Sequence, residues 1–254
     1  MRIAIISDIH ANLAALEALP VTDVDQIWCL GDLVGYGPQP HEVIRWIREN
    51  ATLVIRGNHD LAVGYNVEPR CSQSLTFLAA NTRNYTMAAI SDLDRALLTT
   101  LPIRRQFALG QEKFYCVHAI PSDPLFTYCA ETSDQWQHEV NCITATVLLV
   151  GHTHTPFIRR LGRTLIVNPG SVGQPKTGRP FACYALYEDG SFLLKEYEYP
   201  IGKTIDAIRG MSISQEDQDA LISLLRTGAP SPPAATGQNR GQFKKILAVG
   251  GRER

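Results

Sequence analysis

The chain has 254 residues, of which 44% are hydrophobic and 19% are charged, and its formal net charge is −1. These values are typical of a globular protein with a substantial core, and they exclude the strongly basic balance that draws a chain to nucleic acid or acidic membranes. No apolar run approaches the ~20 residues of a membrane-spanning helix. The run ahead of Asp8 is also too short for the apolar core of a signal peptide.

Six cysteines are spread along the chain without Cys-x-x-Cys pairs or regular spacing. Cys29, Cys116 and Cys183 fall in predicted strands, where reduced thiols behave as small hydrophobic side chains. We therefore expect a reducing, cytoplasmic setting. None of the six is interpreted as a nucleophile or a zinc ligand.

The first sixty residues predict strands at 2–7, 26–30 and 53–56, with helices at 12–19 and 40–49 between them. The strands are short, rich in β-branched residues and nearly continuous in their apolar character, as expected of strands that are covered on both faces. Strands that alternate with helices indicate right-handed βαβ units. The N-terminal part therefore predicts a largely parallel sheet.

Residues 72–100 are predicted to be helical and to form a cap beside the functional site. Strands predominate from there onward, at 103–109, 113–117, 147–150, 157–160, 164–167, 181–187 and 192–199. An amphipathic segment at 132–142 interrupts these strands, and a last helix is predicted at 215–226. Gly110-Gln111 and Asp189-Gly190 are typical of tight hairpin turns.

The character of the chain changes after residue 227. Residues 229–235 are rich in proline and alanine, which is incompatible with regular helix or sheet, and the stretch from 238 to 254 is mildly basic. We therefore expect one domain over residues 1–227 and a tail over 228–254. A solvated or packed tail is favoured over one that binds RNA.

Polar clusters follow the predicted strands at five places. They are Ser7-Asp8-Ile9-His10, Gly31-Asp32, Gly57-Asn58-His59-Asp60, His118 and Gly151-His152-Thr153-His154. Each cluster alone is an ordinary turn, helix cap or half-buried histidine. Packing does not explain the repetition, because Asp and His are poor strand residues and costly to bury unpaired. In parallel sheets ligands bind at the carboxyl ends of strands, so we expect these side chains to meet there.

Oxygen and imidazole donors of these types hold borderline divalent metals such as Mn, Fe, Zn or Ni, and here they are too many for one ion. The carboxylate of Asp32 has two oxygens and is suited to bridge two ions. Two ions ~3.5–4 Å apart generate hydroxide and stabilise an in-line displacement at phosphorus. The clusters therefore predict hydrolysis of a phosphate ester by metal-activated hydroxide. His59 is suited to protonate the leaving oxygen or to hydrogen-bond the phosphate.

The order of the five clusters resembles the calcineurin-like metallophosphoesterase superfamily, and Asn168-Pro169-Gly170-Ser171-Val172-Gly173 resembles a turn of its small bacterial phosphodiesterase branch. The resemblance implies an α/β fold, a four-layer α/β/β/α sandwich of two mixed sheets with a dinuclear metal site at the strand carboxyl ends. It also implies two ligand sets and an acid, His59. One set is Asp8, His10, Asp32 and His154, and the other is Asp32, Asn58, His118 and His152.

One departure from the superfamily pattern bears on the substrate. Serine/threonine phosphatases and symmetrical dinucleoside tetraphosphatases carry Asp-Arg-Gly shortly after the Gly-Asp cluster, whereas residues 31–37 here read Gly-Asp-Leu-Val-Gly-Tyr-Gly. The missing arginine favours small phosphodiesters or nucleotides. Arg56, Arg83 or Arg179 are candidates to replace it, so a dinucleoside polyphosphate stays open. Tyr36 is interpreted either as a platform for a base or as a structural turn residue.

Three functional hypotheses follow. The first is a metal-dependent phosphodiesterase or nucleotide hydrolase, which explains all five clusters. The second is a phosphomonoesterase or protein phosphatase, which the missing arginine disfavours. The third is a non-catalytic metal-binding scaffold, which predicts an eroded site at Asn58 or His59, whereas both residues are intact.

Overall fold

The computed structural model describes residues 1–229, and this part of the chain forms ten β-strands and eight α-helices. The strands are β1 (Arg2–Ile6), β2 (Gln26–Cys29), β3 (Leu53–Val54), β4 (Arg104–Leu109), β5 (Glu112–Val117), β6 (Val147–Leu149), β7 (Phe157–Leu161), β8 (Thr164–Asn168), β9 (Ala182–Glu188) and β10 (Ser191–Tyr197). The helices are α1 (Leu13–Glu17), α2 (Pro40–Asn50), α3 (Asn58–Tyr65), α4 (Thr76–Ala89), α5 (Asp92–Thr100), α6 (Gln135–Asn141), α7 (Ile201–Arg209) and α8 (Gln215–Thr227).

The strands form two five-stranded sheets. Sheet A has the order β10-β9-β1-β2-β3, and sheet B has the order β4-β5-β6-β8-β7. In sheet A, β1, β2 and β3 are parallel, and in sheet B, β5, β6 and β8 are parallel. The remaining pairings are antiparallel, so both sheets are mixed, and the predicted fold class is confirmed. Six parallel strands thus direct their carboxyl ends toward one region.

Alternating side chains place one apolar core between the sheets and one on each outer face. Between the sheets, Ile5 and Trp28 of sheet A pack against Phe114 and Leu149 of sheet B. The opposite face of sheet A packs on α1 and α2, and the opposite face of sheet B packs on α6 through Trp136. The layers therefore follow the order α/β/β/α.

Both predicted hairpin turns are present. Asp189 and Gly190 have φ angles of 49° and 84°, the left-handed pair that a two-residue turn of this twist requires. Their strands pair directly, with Glu188 opposite Ser191. Gly110 has a φ angle of 59° in the β4–β5 hairpin, where Leu109 pairs with Glu112.

The predicted strand ends agree with the structure within two residues. The predicted helices needed more correction. The segment 72–100 divides into α4 and α5, because Ser91 caps a new helix: its hydroxyl accepts from Asp94 N at 3.2 Å. Helices α3 and α7 were not predicted. Six of the eight residues of α3 are buried, so it lacks the one-sided apolar stripe by which helices are recognised.

Gly228 and Ala229 are the described part of the predicted tail, and its residues 230–254 lie outside the described residues. The domain boundary at 227 therefore stays a prediction. None of the helices within 1–229 is long and apolar enough to span a membrane.

Candidate metal centre

The seven predicted ligands lie at the carboxyl ends of β1, β2, β3, β5 and β6 and converge on one buried cluster. Their exposed fractions are 0% for Asp8, 1% for His10, 1% for Asp32, 0% for Asn58, 0% for His118, 2% for His152 and 3% for His154. Polar side chains this deeply buried must be paired with each other or with a ligand. The structure therefore brings together residues that are up to 146 positions apart in the chain, from Asp8 to His154.

One side of the cluster joins the ends of β1 and β6. His154 Nε2 lies 3.3 Å from Asp8 Oδ1 and 3.2 Å from His10 Nε2. Asp8, His10 and His154 each offer a ligand atom within 4.8 Å of the others. These three residues are members of the first ligand set that the family resemblance implies.

The other side of the cluster centres on Asp32. His118 Nε2 lies 3.4 Å from Asp32 Oδ2 and 3.1 Å from Asn58 Oδ1. Asp32, His118 and His152 offer ligand atoms within 4.8 Å of one another, as do Asp32, His10 and His59. Asp32 thus faces both sides of the cluster, which is the placement that a bridging carboxylate needs.

Backbone carbonyls orient the imidazoles. His10 Nδ1 donates to Val34 O at 3.2 Å, His118 Nδ1 to Leu30 O at 2.7 Å, and His154 Nδ1 to Gln174 O at 2.6 Å. His152 uses the other ring nitrogen, because its Nε2 donates to Phe126 O at 3.1 Å. A carbonyl only accepts, so each bonded nitrogen carries the proton and the other nitrogen faces the cluster. This is how proteins fix the tautomer of metal-binding histidines.

At two places in the cluster, the hydrogen-bonding needs of buried atoms are not met by the protein. Asp8 Oδ1 is buried and has no hydrogen-bond partner. The Nε2 atoms of His10 and His154 face each other at 3.2 Å, although each ring already has its proton on Nδ1. Burial holds the pKa values of both rings well below the usual range, so no second proton relieves the opposed lone pairs. A cation between these atoms resolves both defects, and the donor set therefore fits a divalent metal.

The two carboxylates differ in their electrostatics. Burial raises the pKa of Asp8 to about 6, and the negative charge of Asp32 adds to this effect. Burial also opposes ionisation of Asp32, but the neighbouring His118 and His59 hold the pKa of Asp32 well below its usual range. Burial likewise opposes charge on His118, yet Asp32 raises the pKa of His118 to about 9. Asp32 and His118 thus each favour the charged form of the other.

The ligand loops are held in a strained backbone conformation. Five of the seven predicted ligands have positive φ angles: Asp8 at 54°, His10 at 48°, Asp32 at 56°, His152 at 65° and His154 at 59°. This region costs a residue with a Cβ of order 1–2 kcal/mol, and such strain concentrates at functional sites. The loops are therefore shaped for where they place side chains rather than for local stability.

Asp60 ties two of these loops together. Its carboxylate accepts backbone N–H groups of Asp32 at 2.8 Å, Leu33 at 2.8 Å and Gly57 at 2.9 Å. Within residues 1–229, the hydrogen bonds of this carboxylate go to backbone groups of the two loops and not to the ring of His59. A Cβ at Gly57 would overlap Asp32 Oδ1, so only glycine allows the two loops to approach this closely.

His59 lies at the edge of the cluster, 4% exposed, directly after Asn58 at the start of α3. Its backbone N–H donates to Asp32 Oδ1 at 2.9 Å, which fixes its position relative to the carboxylate. Its ring packs edge-on against His10 with centroids 5.0 Å apart. Within residues 1–229 no hydrogen bond engages its ring nitrogens. Burial lowers the pKa of His59 to about 4 in the metal-free protein.

The three arginines proposed to replace the missing one are engaged elsewhere. Arg56 donates to the Leu98 and Thr99 carbonyls, Arg83 to Val67 O and Glu68, and Arg179 to Glu196. Within residues 1–229, no hydrogen bond or ion pair joins any of them to the cluster, so the structure does not support these candidates, which stay predictions. The carbonyl contacts of Arg56 instead join the end of sheet A to α5.

Tyr36 is buried, with an exposed fraction of 2%, and its ring packs against His10 at 5.0 Å and His59 at 4.7 Å. Its structural interpretation is therefore supported, and its interpretation as a base platform is not. The exposed aromatic residue at the site is Tyr128, which stacks on His152 with ring centroids 3.9 Å apart.

Tyr128, Asn168 and Lys176 belong to the surroundings of the cluster but were not predicted as site residues. Asn168 donates to Gly151 O at 2.8 Å and so holds the His152–His154 loop. Only Asn168 carried a signal, because it begins the Asn-Pro-Gly-Ser turn. Tyr128 and Lys176 lie in ordinary loop sequence, where nothing distinguishes a residue that folds back over a site.

Comparisons with known proteins identify relatives of this chain. The family model described as the calcineurin-like phosphoesterase superfamily domain matches residues 1–189. An uncharacterized protein of Methanocaldococcus jannaschii, MJ0912, is 30% identical over 233 residues, which are 81% of this chain and 91% of that protein. The phosphodiesterase YfcE of Escherichia coli K12 is 25% identical over 206 residues, 74% of this chain and 88% of YfcE. A crystal structure of a metallophosphoesterase from Sphaerobacter thermophilus, 30% identical, aligns with a TM-score of 0.77 over 90% of this chain and 99% of that one.

Proposed function

The chain belongs to the calcineurin-like phosphoesterase superfamily, and we propose that it is a dinuclear metal-dependent phosphodiesterase that acts on small phosphodiester or nucleotide substrates. The observation that carries the proposal is the convergence of seven buried N and O donors with an unpartnered carboxylate oxygen on Asp8. The scaffold hypothesis predicts erosion at Asn58 or His59, whereas both residues are intact and buried at the cluster, which favours an enzyme.

The proposed ligand sets share Asp32. Asp8, His10, Asp32 and His154 would hold one ion, and Asp32, Asn58, His118 and His152 the other. When bound, a pair of divalent cations lowers the pKa of water to ~7 and offsets negative charge that develops on the phosphoryl group. Manganese is the metal we would test first, with Fe, Zn and Ni as alternatives that suit the same donors.

His59 is the proposed acid of the reaction. Its ring nitrogens are free of hydrogen bonds within residues 1–229, and its backbone is fixed on Asp32 at 2.9 Å. Contacts with His10 and Tyr36 keep the ring at the edge of the cluster. In this position the neutral ring donates a hydrogen bond to the phosphoryl group. The negative charge of the substrate would favour the protonated ring, and with it proton donation to the leaving oxygen.

The test is hydrolysis by protein that has been stripped with a chelator and reloaded with Mn²⁺, Fe²⁺, Zn²⁺ or Ni²⁺. Bis(p-nitrophenyl) phosphate reports diester cleavage, p-nitrophenyl phosphate reports monoester cleavage, and diadenosine tetraphosphate reports cleavage of a phosphoanhydride. We expect two metals per chain and the highest kcat/KM on the diester. A higher kcat/KM on the monoester would instead indicate a phosphomonoesterase, and one on the anhydride a dinucleoside polyphosphate hydrolase. Two bound ions without turnover on any substrate would favour the scaffold.

A further inference from the structure

A lysine, Lys176, lies on a turn that adjoins the cluster. The side chain of Lys176 is half-buried, whereas the other lysines within residues 1–229, Lys113, Lys195 and Lys203, are exposed. Lysine normally keeps its ammonium in water and buries only its stem, because desolvation of the charge is costly. A half-buried lysine therefore requires a reason.

The backbone holds Lys176 against the metal ligands. The Gln174 carbonyl accepts from His154 Nδ1 at 2.6 Å, and Lys176 N approaches His154 O at 3.5 Å. In the same turn, Gly173 N donates to Asp8 O at 3.1 Å. The turn is therefore built onto the loops that carry Asp8 and His154, and its position is fixed together with theirs.

The charge of Lys176 acts on the whole cluster. Burial lowers the pKa of the ammonium, while Asp8 and Asp32 act in the opposite direction. Burial lowers the pKa values of His10, His59, His152 and His154, and the charge of Lys176 acts in the same direction on each. Coulomb interactions weaken with distance and are screened by water, so these effects agree with the position beside the cluster that the backbone hydrogen bonds give the turn.

No protein group neutralises this ammonium. Within the described range 1–229, no carboxylate lies within ion-pair distance of Lys176, and its side chain makes no recorded hydrogen bond. The carboxylates that attract it, Asp8 and Asp32, are the proposed metal ligands and are directed into the cluster. A positive charge that is partly desolvated and unpaired beside a site for phosphate is suited to an anionic ligand.

We propose that Lys176 is a substrate-binding residue whose ammonium binds a non-bridging oxygen of the phosphoryl group, in the role that the absent Asp-Arg-Gly arginine leaves open. The proposal rests on the proposed function for its substrate class, since it takes the ligand to be a phosphate ester. A lysine offers a point charge rather than the planar fork of arginine, so it binds phosphate without fixing its orientation.

The experiment measures binding of inorganic phosphate by calorimetry to the Mn²⁺-loaded full-length protein, alongside kcat/KM for bis(p-nitrophenyl) phosphate. Lys176→Met should weaken phosphate binding and lower kcat/KM by about tenfold or more, the effect of losing one charge-assisted hydrogen bond. Its metal content should stay that of the wild type. Lys176→Arg should retain most of the binding, and Lys203→Met removes an exposed lysine of the same charge as the matched control.

Each outcome decides between named alternatives. Unchanged phosphate affinity in Lys176→Met would overturn the proposal, and a loss in Arg179→Met instead would assign the role to Arg179. Phosphate binding that depends on Lys176 in a protein that hydrolyses nothing would support the binding site and reject the proposed function. If Lys176→Met loses metal, Lys176→Gln repeats the measurement with a polar side chain. Loss of metal in Lys176→Gln as well would make the residue structural and overturn the proposal.

Discussion

Two regions of the molecule each place a histidine against a buried aspartate, and only one of them is a candidate metal centre. Beside α2 and α5, His41 Nδ1 donates to Asp94 Oδ2 at 2.7 Å. In the cluster, His118 Nε2 lies 3.4 Å from Asp32 Oδ2 and His154 Nε2 lies 3.3 Å from Asp8 Oδ1. A short His–Asp distance therefore does not distinguish a structural pair from a metal site.

The two regions differ in what the protein leaves unsatisfied. The Asp94 carboxylate also accepts the backbone N–H of Ser91 at 3.0 Å and its hydroxyl at 2.7 Å, and His41 is exposed to solvent on its other side. In the cluster, Asp8 Oδ1 has no partner and the rings of His10 and His154 oppose each other. The first region is complete without a ligand, whereas the second requires a cation.

Removal of the shared carboxylate is the strongest test of this difference. Asp32→Asn should lose tight binding of both metals, because the residue faces both sides of the cluster, and activity should fall by about a thousandfold or more. Metal content measured by mass spectrometry after dialysis, together with diester hydrolysis, checks the prediction. Asp94→Asn is the matched control, since it changes an equally buried aspartate and should keep both metals. Full metal occupancy in Asp32→Asn would refute the bridging role.

Two of the histidines outside the proposed ligand sets, His59 and His41, sharpen the comparison next. His59→Ala should keep both metals and slow turnover by roughly a hundredfold, in the range for lost acid–base catalysis. His41→Ala should leave turnover unchanged, because its ring serves only Asp94. Single-turnover rates on the diester separate the chemical step from product release. Equal rates for the two variants would remove His59 from the mechanism.

The hydrogen bonds that Asp60 makes to the ligand loops predict an effect on stability rather than on the rate of hydrolysis. Asp60→Asn should lower the free energy of unfolding by about 2 kcal/mol, because an amide N–H₂ must replace a carboxylate oxygen that accepts two backbone N–H groups. Urea unfolding in excess chelator measures this without the contribution of bound metal. If stability is unchanged and metal affinity alone falls, the Asp60 network serves the site and not the fold.

The convergence of the ligands was predictable because parallel strands share one direction. Asp8, Asp32 and Asn58 each follow a strand of sheet A, and His118 and His152 each follow a strand of sheet B, so topology alone brings them to one edge. Strand positions were also predictable, since the short β-branched runs have few alternative interpretations.

The features that the sequence did not predict depend on tertiary contacts, which leave no pattern in the local sequence. Arg56 was a reasonable phosphate ligand by composition, but its guanidinium satisfies carbonyls at the end of α5. Tyr36 is buried by His10 and His59, which lie 26 and 23 residues away in sequence. The turn that carries Lys176 adjoins the cluster because Gln174 bonds to His154. In each case a partner distant in sequence decides what the residue does.

The smallest predicted effect concerns the His41–Asp94 pair and the pH dependence of its contribution to the free energy of unfolding. Burial opposes ionisation of Asp94, but hydrogen bonds from Ser91 and His41 lower its pKa in the folded protein below the ordinary value. The carboxylate therefore contributes its full stability above the unfolded-state pKa of ~3.9, and this contribution is lost as pH falls through the folded-state pKa. Asp94→Asn should cost about 1 kcal/mol of unfolding free energy at pH 6, the usual cost of a lost helix cap. In urea titrations with chelator present, the difference from wild type should shrink as pH falls below ~4. A difference that stays constant with pH would mean that Asp94 acts through packing and not through its charge. The His41–Asp94 pair would then differ from the cluster also in that its carboxylate does not act electrostatically.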